Sequence, residues 1–227
     1  MLADNKFINE IDARIASRSL LKHPFYQAWT AGTLPMAALQ DYAAQYYHHV
    51  AAFPTYLSAV HSQLDDQATR LMLLQNLRDE EAGEPNHPQL WLQFAGALGL
   101  GENEVQTAAL EPETGRLIAT FRTICRQRPP AAGIASLYAY ESQIPAVAEA
   151  KIDGLQRFYG IADAKGLAYF NVHVEADREH SAVERRLLEE SVTDENFSIA
   201  AGAVDETLEA LWDMLSGVCR RKGIACN

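Results

Sequence analysis

Thiols are scarce in this chain of 227 residues, and the three cysteines, Cys125, Cys219 and Cys226, form no CxxC pair. An odd number without that spacing offers neither a disulfide framework nor a thiolate zinc site. Long hydrophobic runs are missing too. No stretch approaches the roughly 20 apolar residues that a membrane span requires, and the opening MLADNKFINEIDARI has no basic region followed by an apolar one. A soluble, cytoplasmic protein is expected. Basic residues are few, 19 against 30 acidic, and no Lys/Arg block offsets the net charge of −11. That field repels phosphate backbones and anionic membranes, which excludes nucleic acid and membrane surfaces as partner classes. Low-complexity linkers and internal repeats are absent, and 48% hydrophobic residues can bury a sizeable core, so residues 1–227 are expected to form a single domain.

What remains is helix. Nearly every segment between Gly and Pro punctuation is rich in Ala, Leu, Glu and Gln, with apolar residues three and four apart. The pattern predicts an all-α protein with helices near 4–17, 24–31, 35–64, 66–82, 87–99, 113–127, 131–159, 163–190 and 195–221. Pro24, Pro35 and Pro88 suit first turns, whereas Pro54 and Pro145 fall inside long patterns and are expected to kink them. The stretch GLGENEVQTAALEPETG reads as a connection.

One of these helices carries YFNVHVEADREH, residues 169–180. At about 100° per residue, Asp177 lies about 40° round from His173 and His180 about 20° the other way, so the three share one face. Glu175 and Glu179 fall roughly opposite, as solvated charges. Two further places offer partners. In NLRDEEAGEPNHPQLW, Glu80 ends one predicted helix and His87 begins the next, and the turn between them can fold His87 back beside Glu80. In LYAYESQIPAV, Glu141 sits in an apolar helix, where a carboxylate needs a partner. Three carboxylates and three imidazoles on separate helices suit two divalent first-row metals, Fe or Mn, because bundles are where carboxylate-bridged pairs are built. Spacing alone leaves Glu81 and Glu84 in competition with Glu80. His48, His49 and His61 have no carboxylate on the same stripe nearby and read as structural.

Glu80-x6-His87, a separate Glu141 and His173-x3-Asp177-x2-His180 together resemble the motif of the haem-oxygenase-like di-metal oxidases. The likeness is to the proteins related to the chlamydial protein that associates with death domains. It extends from HPFYQAW through HSAVERRLL. The resemblance implies a haem-oxygenase-like bundle of seven to eight helices, a dinuclear Fe/Fe or Fe/Mn centre held by those six residues, dioxygen as partner and an external reductant. It further implies synthesis of para-aminobenzoate for folate, in which a tyrosine of the protein itself becomes the ring and a lysine is the amino donor. Here those residues are Tyr26 of HPFYQAW and Lys151 of EAKIDGL. On packing grounds alone Tyr26 is a half-buried aromatic and Lys151 an exposed lysine. Tyr42, Tyr140 and Tyr169 are further candidates beside the site. Tyr169 lies one turn before His173 on the same face, where a phenol can donate to a ligand or carry a radical. A homodimer is expected. Some relatives are linked to host death domains, but nothing in this sequence tests that association and it is not carried over to this chain.

Other readings stay open at this point. A thiaminase II-like hydrolase needs a cysteine nucleophile in its pocket. The cofactorless oxidase that completes pyrroloquinoline quinone has no use for six metal ligands. A helical interaction protein would hold any metal in a closed, structural site.

Overall fold

The computed structural model describes residues 5–225, and among these there is helix and no strand. The helices are α1 (Lys6–Ser17), α2 (Pro24–Thr30), α3 (Met36–His61), α4 (Gln67–Glu81), α5 (His87–Ala97), α6 (Glu102–Gln106), α7 (Pro112–Gln127), α8 (Pro130–Glu141), α9 (Ile144–Phe158), α10 (Ala164–Ser191) and α11 (Phe197–Arg221). A 3-10 turn, Leu20–Lys22, precedes α2. Side chains that satisfy orphan N–H groups set several starts: Asn5 accepts from Phe7 N, Asp66 from Thr69 N and Asp163 from Gly166 N. Cys226 lies outside the described residues.

Three expectations change. The helix count exceeds seven to eight. The connection between α5 and α7 contains the short α6, which begins after Gly101. The predicted helix 131–159 is two helices, because Pro145 has no N–H to give the Glu141 carbonyl and its ring crowds that carbonyl. The chain therefore breaks at Ser142–Gln143, and Pro145 falls in the first turn of α9. Pro54, by contrast, sits within α3 without ending it.

Packing gives the site its frame. Helix α10 lies against α5, α8 and α9, while α3 lies against α4, α5 and α7. One apolar core runs from Ile8 to Cys219 and includes fully buried Trp29, Trp91, Tyr42, Tyr56, Phe25 and Phe121. Fully burying a Phe contributes about 1.5–3 kcal/mol relative to leaving it exposed, so these aromatics fix how the helices meet. At Gly154 of α9 the Trp29 indole of α2 comes so close that a Cβ would stand 2.5 Å from Trp29 Cδ1. Glycine there lets α2 lie directly on α9.

Candidate metal centre

Four helices converge at one level of the bundle. Helix α4 carries Glu80 in its last turn, and Asn86 then restarts the chain with a reciprocal cap: its side chain accepts from Gln89 N while Gln89 Oε1 accepts from Asn86 N. That cap turns His87 back, so His87 Nδ1 stands 2.8 Å from Glu80 Oε2. Glu81 and Glu84 point to solvent. The last residue of α8 is Glu141, 1% exposed. Helix α10 supplies His173, Asp177 and His180, all buried, while Glu175 and Glu179 are exposed.

The donor atoms form two overlapping groups. One atom each from Glu80, His87 and His173 lie within 4.8 Å of one another, and so do one each from Glu80, Glu141 and His180. Asp177 stands beside the second group, its Oδ1 3.6 Å from His180 Nδ1, which is also 3.4 Å from Glu141 Oε1. Glu80 is common to both groups. His173 Nδ1 donates to the Tyr169 carbonyl at 2.6 Å, and His180 Nε2 donates to Asp79 Oδ2 at 3.3 Å. At His173 the contact fixes the tautomer and leaves the opposite ring nitrogen turned toward the other donors. At His180, against the effect of burial, Asp177 and Glu141 push the imidazole up to about 11.

These atoms are close without being aimed at each other. Both oxygens of Glu141, Asp177 Oδ2, His87 Nδ1 and His180 Nδ1 are buried and have no directed hydrogen bond among the described residues. Each buried polar atom left unpaired costs about 1–3 kcal/mol, so a cluster of them calls for a shared partner. Donor atoms from separate helices gathered in two overlapping groups fit cations, and the mixed imidazole and carboxylate set suits iron or manganese. Burial pushes the Asp177 carboxyl up, with Glu141 and Glu80 adding to the effect against His180. Burial also holds His173 well below the usual histidine range, with His87 adding to it. A cavity of about 360 Å³ lined by Arg78, Asp79, His87 and Val172 opens this end of the site to solvent.

Next to the donors lies an aromatic chamber. Tyr169 stacks on His173 with centroids 3.9 Å apart, Trp91 meets Tyr169 at 4.7 Å and Tyr42 at 5.8 Å, and Tyr42 reaches Tyr26 through hydroxyls 3.2 Å apart. Lys151 projects into this chamber from α9. It is 3% exposed, its Nζ donates to the Tyr42 hydroxyl at 2.7 Å, and the Tyr26, Tyr42, Tyr46, Trp91 and Phe170 rings lie 5.0–5.6 Å from the same atom. Among the described residues no carboxylate pairs with Nζ. Burial alone lowers the amine from 10.5 to about 7. Tyr26 is buried rather than half-buried, and Lys151 is buried rather than exposed, which corrects the packing expectation for both. Tyr140 joins the chamber through Tyr46, their hydroxyls 2.6 Å apart.

Residues beyond the sequence candidates also gather here: Tyr46 and Trp91 in the chamber wall, Asp79 behind His180, and Glu184. The last lies at about 20° from His173 on the helical wheel of α10, so the stripe that marks His173, Asp177 and His180 also contains it. His48 Nε2 donates to the Ala108 carbonyl. His49 is fully buried among Tyr46, Tyr56, Phe121 and Tyr140, and burial lowers it to about 3, so it stays neutral. Cys125 is buried in α7, and burial pushes its thiol up to about 12, far from the thiolate a hydrolase of the thiaminase type needs.

A 4-aminobenzoate synthase of Chlamydia pneumoniae is 44% identical over 92% of this chain and 93% of its own length. One of Nitrosomonas europaea is 44% identical over 96% of this chain and 92% of its own. A Shewanella denitrificans protein described as a domain of unknown function with a haem oxygenase-like fold superposes with a TM-score of 0.79 at 19% identity, covering 95% of this chain and 91% of that one. Residues 40–212 match the family described as iron-containing redox enzyme, and with most of the chain inside that match, the protein belongs to this family.

Proposed function

We propose that the chain is an oxygen-dependent 4-aminobenzoate synthase with a two-metal centre, that Tyr26 is the source of the ring, and that Lys151 gives the nitrogen. The observation that carries this reading is the buried contact series Lys151 Nζ, Tyr42 hydroxyl, Tyr26 hydroxyl, at 2.7 and 3.2 Å, beside the converging donors. Relatives named 4-aminobenzoate synthase support it.

Glu80, His87 and His173 would hold one cation, and Glu80, Glu141, Asp177 and His180 the other. When bound, a pair of redox-active first-row metals supplies oxygen activation, which no side chain of this chamber can provide. The protein residues do the rest. Tyr42 accepts from the Lys151 amine and so holds it beside the Tyr26 ring, 5.5 Å from Nζ to centroid. Desolvation leaves a substantial fraction of that amine neutral near pH 7, with a lone pair available. The packed rings of Phe25, Trp29 and Tyr42 exclude water and hold Tyr26 in one pose, so proximity replaces substrate binding. Release of the ring as 4-aminobenzoate would break the Tyr26 Cα–Cβ bond, with Cβ oxidised to the carboxylate, and the ring C–O bond, with the phenolic oxygen leaving as water. The Lys151 amine would bond to that ring carbon and its Cε–Nζ bond would then break, leaving an aldehyde at Cε, with dioxygen as the oxidant for both carbons and an external reductant supplying the remaining electrons. Each chain would act once.

Growth on ring-labelled tyrosine, followed by reduction and oxygen exposure of the purified protein, tests the reading. Labelled 4-aminobenzoate is expected from wild type and none from Tyr26→Phe, which keeps the ring but removes the phenol. Wild-type yield from Tyr26→Phe would assign the source to another tyrosine, with Tyr42, Tyr140 and Tyr169 next to examine.

A further inference from the structure

Glu184 has the burial of a ligand and the surroundings of none. It is 0% exposed, neither carboxylate oxygen has a well-directed hydrogen bond among the described residues, and the group it meets at hydrogen-bond range is the Glu141 carboxyl, another buried acid. It lies one helical turn beyond His180 on the inward stripe of α10, and its neighbours in the interior are Glu141, Asp177 and Cys125. None of these is a cation. Lys151 is the only buried Lys or Arg among the described residues, and it is engaged with Tyr42. A carboxylate so placed is paired, bound to metal, or very costly to bury.

Charge points the same way. Glu80, Glu141, Asp177 and Glu184 are all at most 3% exposed, and His87, His173 and His180 are buried with them. Three carboxylates leave two divalent cations with an excess positive charge in an apolar interior, and a fourth balances them. Glu184 interacts with Glu141 and Asp177, the carboxylates of the second donor group.

We infer that Glu184 is a seventh donor of the metal centre, contributing its carboxylate to the cation held by Glu141, Asp177 and His180. The inference rests on the two-metal reading above. It makes the two sites unequal: one has two imidazoles and the shared Glu80, and the other has one imidazole, Asp177, Glu141, Glu184 and the shared Glu80. The carboxylate-rich site is the harder one and favours manganese more than its neighbour does.

The test titrates Mn2+, which is redox-quiet, into the metal-stripped full chain, and follows binding by calorimetry and electron paramagnetic resonance. Wild type is expected to take two ions. Glu184→Gln, which keeps the shape and removes the charge, should bind one ion as wild type does and the other at least about 10-fold more weakly, the loss typical when a group supporting a metal site is removed. Its spectrum should pass from that of a coupled pair to that of an isolated ion. The metal-free variant should melt above metal-free wild type, because an uncompensated buried carboxylate is gone, while Mn2+ should raise its melting temperature less. A packing role alone would lower the metal-free melting point and leave Mn2+ binding unchanged, and that result overturns the inference. Should Glu184→Gln fail to fold, Glu184→Asp decides: withdrawing the carboxylate by one methylene must weaken one of the two sites, and full-affinity binding of both ions overturns the proposal. Fewer than two ions in wild type itself would remove the two-metal reading and this inference with it, whereas two ions of equal affinity in both proteins removes only Glu184.

Discussion

The indole of Trp29 occupies the space where a Cβ at position 154 would lie, with Cδ1 at 2.5 Å and Nε1 at 2.7 Å, and the same Nε1 donates to the Lys151 carbonyl at 3.3 Å. Helix α2, which carries Tyr26, is thereby registered against the turn of α9 that carries Lys151. Gly154→Ala must push the indole or the helix away, at a cost of about 1–3 kcal/mol for overpacking. The expected outcome is a lower melting temperature and a several-fold loss of 4-aminobenzoate, with metal content unchanged because none of the donors lies on α2 or α9. Elemental analysis beside product yield checks it. An unchanged yield would mean that the Tyr26 to Lys151 spacing does not limit the reaction.

Glu80 belongs to both donor groups, which separates it sharply from its acidic neighbours. Glu80→Ala is expected to lose both metals, and Asp177→Ala only the one on the Glu141 side. Glu81→Ala and Glu84→Ala should keep both, since those side chains face solvent. Elemental analysis after purification discriminates among the four. Retention of two metals in Asp177→Ala would sink its assignment as a ligand.

The Lys151 amine titrates at about 7 in the folded chain against 10.5 ordinarily. The unfolded chain therefore holds the proton more tightly, and stability rises with pH between those two values and is flat on either side. Below pH 7 the full penalty for protonating a buried amine applies, with an upper bound on the order of 4–5 kcal/mol. Lys151→Met should raise the melting temperature at pH 6, and the gain should shrink toward pH 10. Product yield in wild type should climb through an inflection near 7 as the neutral amine accumulates. A stability gain that does not vary with pH would show that Lys151 is not desolvated as described.

Some of this was legible in the sequence and some was not, for physical reasons that differ by residue. The stripe on α10 and the fold-back of His87 follow from helical angle and from the Asn86 cap, both local properties. The burial of Lys151 is not local. It depends on the break at Pro145, which turns α9 so that a lysine ten residues after Glu141 enters the aromatic chamber. Glu184 sits in ERRLLEE, where adjacent charges mask its inward angle, and its isolation follows only from the docking of α8 against α10. Trp91 and Tyr46 read as ordinary core residues because aromatic packing and chamber walls have the same periodicity.

The burial of Tyr26 also gives the chain a fate. It is 2% exposed and wedged among Phe25, Trp29 and Tyr42 in a helix of only seven residues. On the proposed chemistry, departure of the ring leaves glycine at that position, which costs about 0.5–1 kcal/mol in a helix, and a void comparable to a Phe→Ala truncation, about 3–5 kcal/mol. Against a total stability of about 5–15 kcal/mol, that is enough to bring a spent molecule near its unfolding threshold. Synthesis of one small molecule would then double as a timer, with used copies opening more often than fresh ones and offering themselves to proteases.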